Sequence, residues 1–178
     1  MKNEIVTMLK RIDDQQINVT KIRIHGDCHL GQILFTAKGF IIVDFEGKLA
    51  SSFNERRLKC CPLREVAGMV RSFHYAAYGS SLLNTQIRSE DIKAFLPFIE
   101  LWFHHVNDFF IKSYMKTLND APNIPDNNEH IGILLETFLL KRAIYELNYE
   151  LNYRLDWILM PLQGIMSIME KNRLPKIG

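Results

Sequence analysis

From Pro62 to about Arg173 the apolar residues of this chain recur at intervals of three and four, interrupted by one proline-bearing polar stretch. That spacing lines up side chains along one face of an α-helix and scatters them over both faces of a strand. Leu63, Val66, Ala67, Val70, Phe73 and Ala77 share such a face, Pro62 suits a first helical turn, and Gly79-Ser80-Ser81 closes the segment. Asp91 to Leu118, rich in Phe and Leu and carrying Trp102, is a second helical stretch. Asn119 to Asn128 contains Pro122 and Pro125 and is expected to be a loop. Glu129 to about Arg173 then continues as helix, with a break expected at Pro161.

The first third of the chain has a different rhythm. Ile5, Met8, Leu9 and Ile12 predict a helix over Met1 to Ile12, followed by a polar connector from Asp13 to Thr20. Lys21 to Ile24, Ile33 to Thr36 and Phe40 to Val43 read as short strands, with Lys38-Gly39 as the turn between the last two. The expected fold is mainly α with a small β hairpin region, in one domain over residues 1–178. With 47% hydrophobic and 11% aromatic residues in 178, a buried core is within reach.

Composition narrows the partners. A net charge of +2 from 22 basic and 20 acidic side chains, with no long run of one sign, argues against nucleic acid. No apolar stretch approaches the ~20 residues that cross a bilayer, and the start lacks an export signal, so no membrane association is expected. Cys28, Cys60 and Cys61 are odd in number, with two adjacent, which suits a reducing cytoplasm.

The chemistry crowds into His25-Gly26-Asp27-Cys28-His29-Leu30-Gly31-Gln32 and, past the hairpin, Asp44-Phe45-Glu46. Phosphoryl transfer needs a carboxylate beside the acceptor hydroxyl, magnesium held against phosphate, and accurate positioning. Asp27, in a loop directly after a strand, fits the base. Gln32 offers a neutral oxygen ligand, Asp44 a charged one at the end of an apolar strand, and Glu46 a possible assisting carboxylate. A His-Gly-Asp triplet by itself fits a turn cap equally well; four elements in order at hairpin spacing do not.

The order His-x-Asp, an amide beyond it, then Asp-Phe resembles the protein-kinase signature, with Gln for Asn and Glu for Gly. Ile-His-Gly-Asp-x-His-x-x-Gln followed by Asp-Phe-Glu-Gly is similar to the aminoglycoside phosphotransferase-like kinases, and among them to the maltokinases. Glu55-Arg56-Arg57, Pro62 to Met69, Arg71 to Ala76, and Tyr145 through Trp157 to Leu162 extend the likeness over most of the chain. The resemblance implies a protein-kinase-like C-terminal lobe that uses ATP and Mg2+ to convert maltose to maltose 1-phosphate, within trehalose and glycogen metabolism. It further implies that His25 braces the loop, that His29 meets the sugar, and that Arg142, Tyr145 and Tyr149 help bind it. Arg142 stands where the family has lysine, and Leu155 where it has proline.

On spacing alone, Tyr145, Tyr149 and Tyr153 are a helical stripe more typical of core than of a sugar platform. No G-x-G-x-x-G, no Gly-Lys-Ser/Thr loop and no strand lysine precedes the catalytic loop. In the resembled family an N-terminal lobe or fused upstream domain supplies that nucleotide clamp. Two other readings stand beside the kinase lobe. One is a non-catalytic sugar-binding or interaction module; the other is a phosphotransferase with another small-molecule acceptor, for which Glu146 and Glu150 offer carboxylates. A lobe without its partner is also expected to expose apolar surface and to be capable of homo-oligomerisation.

Overall fold

The computed structural model of the chain describes residues 2–15, 17–47, 52–82, 89–118, 125 and 127–173. Helix α1 spans Lys2–Asp14; strands β1 (Ile33–Thr36) and β2 (Gly39–Ile42) pair antiparallel with Ile33 opposite Ile42 and Thr36 opposite Gly39. A short helix α2 (Phe53–Arg56) precedes the helical body, α3 (Leu63–Leu82), α4 (Ser89–Thr117), α5 (Asn128–Tyr153) and α6 (Leu159–Arg173). The protein is mostly helical, with one two-stranded sheet among the described residues.

Helix α5 is the axis of the body. On one side Leu140 and Ala143, both 0% exposed, pack with Met8 of α1 and with Ile165 and Met169 of α6. On the other, Leu134 joins Leu63, Val66 and Val70 of α3, with Phe110, Ile111 and Tyr114 of α4 against the cluster. Full burial of each such aliphatic side chain stabilises by roughly 1.5–3 kcal/mol, so α5 cannot leave without opening both clusters. Its start is fixed by Asn127, whose Oδ1 accepts from Glu129 N at 2.7 Å.

Several local expectations shift. Lys21 to Ile24 is no strand; Ile22 makes a single bridge to Cys60, through hydrogen bonds of 3.0 and 2.9 Å, because no longer partner runs beside it. The last helical stretch breaks at Arg154, where the backbone turns to φ −149° and a 3₁₀ turn Leu155–Trp157 follows. Pro161 falls inside the first turn of α6, where its missing N–H has no helical partner to lose. Helix α3 runs through Gly79-Ser80-Ser81 to Leu82. Most of the expected loop Asn119 to Asn128 lies outside the described residues.

Candidate active site

Three residues of α3 form the floor on which the loop after Ile24 is laid. Glu65 accepts from the Gly26 N–H at 3.1 Å, and Ser72 Oγ accepts from Leu30 N at 3.1 Å while donating to Met69 O. Between them Gly68 lets the chain come close: a Cβ there would lie 2.6 Å from the Cys28 carbonyl oxygen. Burial lifts the Glu65 carboxyl above its ordinary value, a pull opposed by its hydrogen bond to Gly26. Two left-handed glycines, Gly26 (φ +89°) and Gly47 (φ +74°), bring the loop and the end of the hairpin together, with 3.4 Å from a Gly26 Cβ to the Gly47 Cα.

His25, 9% exposed, ties the two segments. Its Nδ1 faces the Asp27 N–H at 3.4 Å, so its Nε2 donates to the Val43 carbonyl at 2.7 Å. Phe45 stacks against the ring at 5.0 Å. Just beyond Val43, Asp44 adopts φ +65°, a left-handed conformation that Asp tolerates better than most residues. That bend aims its carboxylate back at the loop, where Gln32 Nε2 donates to Asp44 Oδ2 at 2.7 Å. Gln32 and Asp44 are thus brought together. The carboxylate of Glu46 is exposed and makes no described contact with either; its main-chain carbonyl accepts from Arg56.

Arg142 Nη1 donates to Asp27 Oδ1 at 2.8 Å, while Oδ2 sits 4.0 Å from His29 Nε2. Burial lowers the His29 pKa below its ordinary value, and Asp27 only partly opposes it. For Arg142 burial likewise works against the charge, but Asp27 and then Glu146 outweigh it and raise its pKa. Cys28, beside Asp27, is pushed up to about 11 by burial and then by Glu65 and Asp27, so its thiol stays protonated and unreactive at neutral pH.

Behind Arg142 the charges alternate. Glu146 accepts from Arg142 Nε at 3.1 Å and from Arg71 Nε at 2.8 Å; Arg71, 3% exposed, lies over the Tyr75 ring and against Gly164 of α6, whose missing side chain makes the room. One turn further, Glu150, 1% exposed, accepts two hydrogen bonds from Arg154 at 2.7 and 2.8 Å and one from Tyr75 Oη at 3.2 Å. The Arg154 guanidinium lies 4.7 Å from the Trp157 ring, which stacks on Tyr75.

These groups enclose a cavity of about 390 Å³, the size of a small-molecule site, bordered by Asp27, His29, Tyr75, Arg142, Tyr145 and Tyr149. A second cavity of about 350 Å³, on the Cys28 and Glu65 side, shares Asp27, Arg142 and Tyr145 with the first. Tyr145 and Tyr149 are 39% and 41% exposed and so belong to the cavity wall rather than to the core suggested by spacing. Tyr153, 73% exposed, packs its ring at a tilt against Tyr149, 4.8 Å between centroids. Sequence reasoning missed Arg71, Tyr75 and Arg154 as parts of this site. For Arg71 and Tyr75 the only signal was a spacing of four on α3, and for Arg154 a spacing of four from Glu150, which many helices share.

Among the described residues no helix is long and apolar enough to cross a membrane. No family model matches the chain. Among solved structures it is similar to glucosamine kinase in complex with glucosamine, ADP and inorganic phosphate, with 20% identity and a TM-score of 0.78 over 96% of this chain. Two further crystal forms of glucosamine kinase match with the same identity and score. The chain spans about two fifths of the length of these structures, 40% and 39%. At this identity the likeness is one of fold: the chain folds as the matched part of a kinase does.

Proposed function

We propose that residues 1–178 act as the C-terminal lobe of an ATP-dependent sugar kinase of the maltokinase kind, phosphorylating maltose or a similar neutral sugar. The observation that carries this reading is Asp27 at the border of a tyrosine-walled cavity, beside a His29 that feels both Asp27 and the Asp44 of the Gln32–Asp44 pair. Arg142 holds Asp27 Oδ1, leaving Oδ2 to take the proton of a sugar hydroxyl, so Arg142 orients the base. Tyr145 and Tyr149 offer rings to the C–H faces of a sugar and hydroxyls to its O–H groups.

Gln32 and Asp44 fit a magnesium ion. Their donors are hard oxygens, and a half-turn of the Gln32 amide presents its oxygen in place of its nitrogen. Such an ion would complete its shell with phosphate and water. When bound, magnesium neutralises charge on the transferring phosphate. The nucleotide clamp would come from a further lobe. Its natural seat is the hairpin, where Phe35 and Phe40 remain 79% and 74% exposed.

A neutral acceptor fits better than an aminosugar because the cavity carboxylates already hold cations: Asp27 with Arg142, Glu146 with Arg71 and Arg142, Glu150 with Arg154. An ammonium group arriving there would compete with an arginine. The test is transfer of labelled phosphate from ATP to maltose by the complete kinase that carries this lobe. Asp27→Asn should lower the rate by about 10²–10⁴ while maltose binding persists. Full transfer by Asp27→Asn would remove the base. Maltose binding with no magnesium-dependent transfer would favour the non-catalytic sugar-binding module, and transfer to glucosamine alone would overturn the acceptor class.

A further inference from the structure

Helix α4 turns Phe103, Phe110 and Tyr114 toward the core, yet a second apolar stripe runs along its outside. Phe95, Phe98, Trp102 and Phe109 are 53%, 69%, 47% and 77% exposed. Together with Asp91, His105, Lys112 and Lys116, all exposed, they fall at alternating intervals of four and three from one end of the helix to the other. That is the spacing of a coiled-coil seam, sustained from Asp91 to Lys116, and Pro97 lies off it.

We propose that this stripe is a self-association surface, on which α4 pairs antiparallel with α4 of a second copy about a two-fold axis crossing between Trp102 and His105. The stripe is self-complementary, as an interface between identical surfaces requires. In that register each layer joins unlike and compatible partners. Phe98 meets Phe109, Trp102 meets His105, and Phe95 meets the Lys112 ammonium over its ring. At both ends Asp91 meets Lys116. Parallel pairing would instead set Asp91 against Asp91 and Lys116 against Lys116. Lys112 already lies 3.9 Å from Asp108 on its own helix, an exposed contact that adds little and leaves its charge available.

The area is adequate. At the exposures above, the four rings keep roughly 500 Å² per copy in water. Leu101, 55% exposed, and the charged ends extend this toward the ~800 Å² per partner of a stable interface.

The decisive measurement is the mass of the chain in solution, by sedimentation equilibrium at micromolar concentration, with circular dichroism to show each variant folded. The chain should be dimeric. Phe109→Glu, at the most exposed ring of the stripe, should make it monomeric. Asp91→Lys and Lys116→Asp should each weaken the dimer about tenfold, since every layer occurs twice. The double variant should recover wild-type affinity within about twofold. A monomeric wild type overturns the proposal. So does a dimer indifferent to Phe109→Glu, held for example through Phe35 and Phe40 of the hairpin, or a double variant no better than the single ones.

Discussion

One chemical change, glycine to alanine inside a helix, should have opposite effects at two positions. In an open helical site the added methyl gains about 0.5–1 kcal/mol by restricting the unfolded chain. Gly132 of α5 is such a site, with nothing within 4 Å of the new Cβ. At Gly68 the Cβ would stand 2.6 Å from the Cys28 carbonyl oxygen, which belongs to backbone and cannot swing aside. Ordinary contact begins near 3.4 Å, so helix and loop must separate by about 0.8 Å, an overpacking cost of roughly 1–3 kcal/mol. Set against the helical gain, Gly68→Ala should be destabilised by about 1–2 kcal/mol, lowering Tm by roughly 3–6 °C, whereas Gly132→Ala should raise it by about 2–4 °C. On the function proposed above, the same shift would carry Asp27 away from the acceptor hydroxyl, costing about 10² in transfer rate. Urea unfolding followed by circular dichroism, with one shared slope for wild type and both variants, reads the sign directly. Should Gly68→Ala move the midpoint upward as Gly132→Ala does, the close seating of the loop on α3 is wrong.

His74, 3% exposed, has its pKa lowered from 6.5 to about 3 by burial and by Arg71. The unfolded chain therefore binds this proton first, and stability present above pH 6.5 is lost progressively as pH falls toward 3. His74→Phe should flatten the pH dependence of the unfolding free energy across that window; an unchanged slope would assign the acid sensitivity to other groups. Glu150→Ala removes a fully buried carboxylate and leaves Arg154 and Tyr75 without their partner, a loss of about 1–3 kcal/mol by denaturant titration because Arg154, 44% exposed, can turn to water. A change under about 0.5 kcal/mol would mean that the Glu150 contacts carry no net stability.

What could be read ahead of the coordinates followed from strict periodicity. Helix α3 was legible because Leu63, Val66, Ala67 and Val70 bury one face and Pro62 marks its start. The hairpin was legible because two short β-branched runs flank a glycine turn, and β2 differs from expectation by one residue at each end. Lys21 to Ile24 misled because alternation reports a strand's own preference and says nothing about a partner. The break after Tyr153 was hidden by Pro161, a strong local signal that the first turn of a helix absorbs. The loop residues of the site were visible as a contiguous motif. The α3 and α5 residues were not: pairing Arg71 with Glu146 joins positions 75 apart, and no local pattern reports such a contact.

His25 bridges the loop and the hairpin with a single ring, and this has a consequence for how the cleft meets its guests. One aromatic plane accepts from the backbone of Asp27 and donates to Val43, the neighbour of Asp44, so the two segments cannot part without losing the His25–Val43 bond. On the function proposed above, freedom that would otherwise be surrendered when a cation and a sugar arrive is surrendered already during folding. On that reading an arriving ligand meets a template, and discrimination among acceptors rests on how well they fit it.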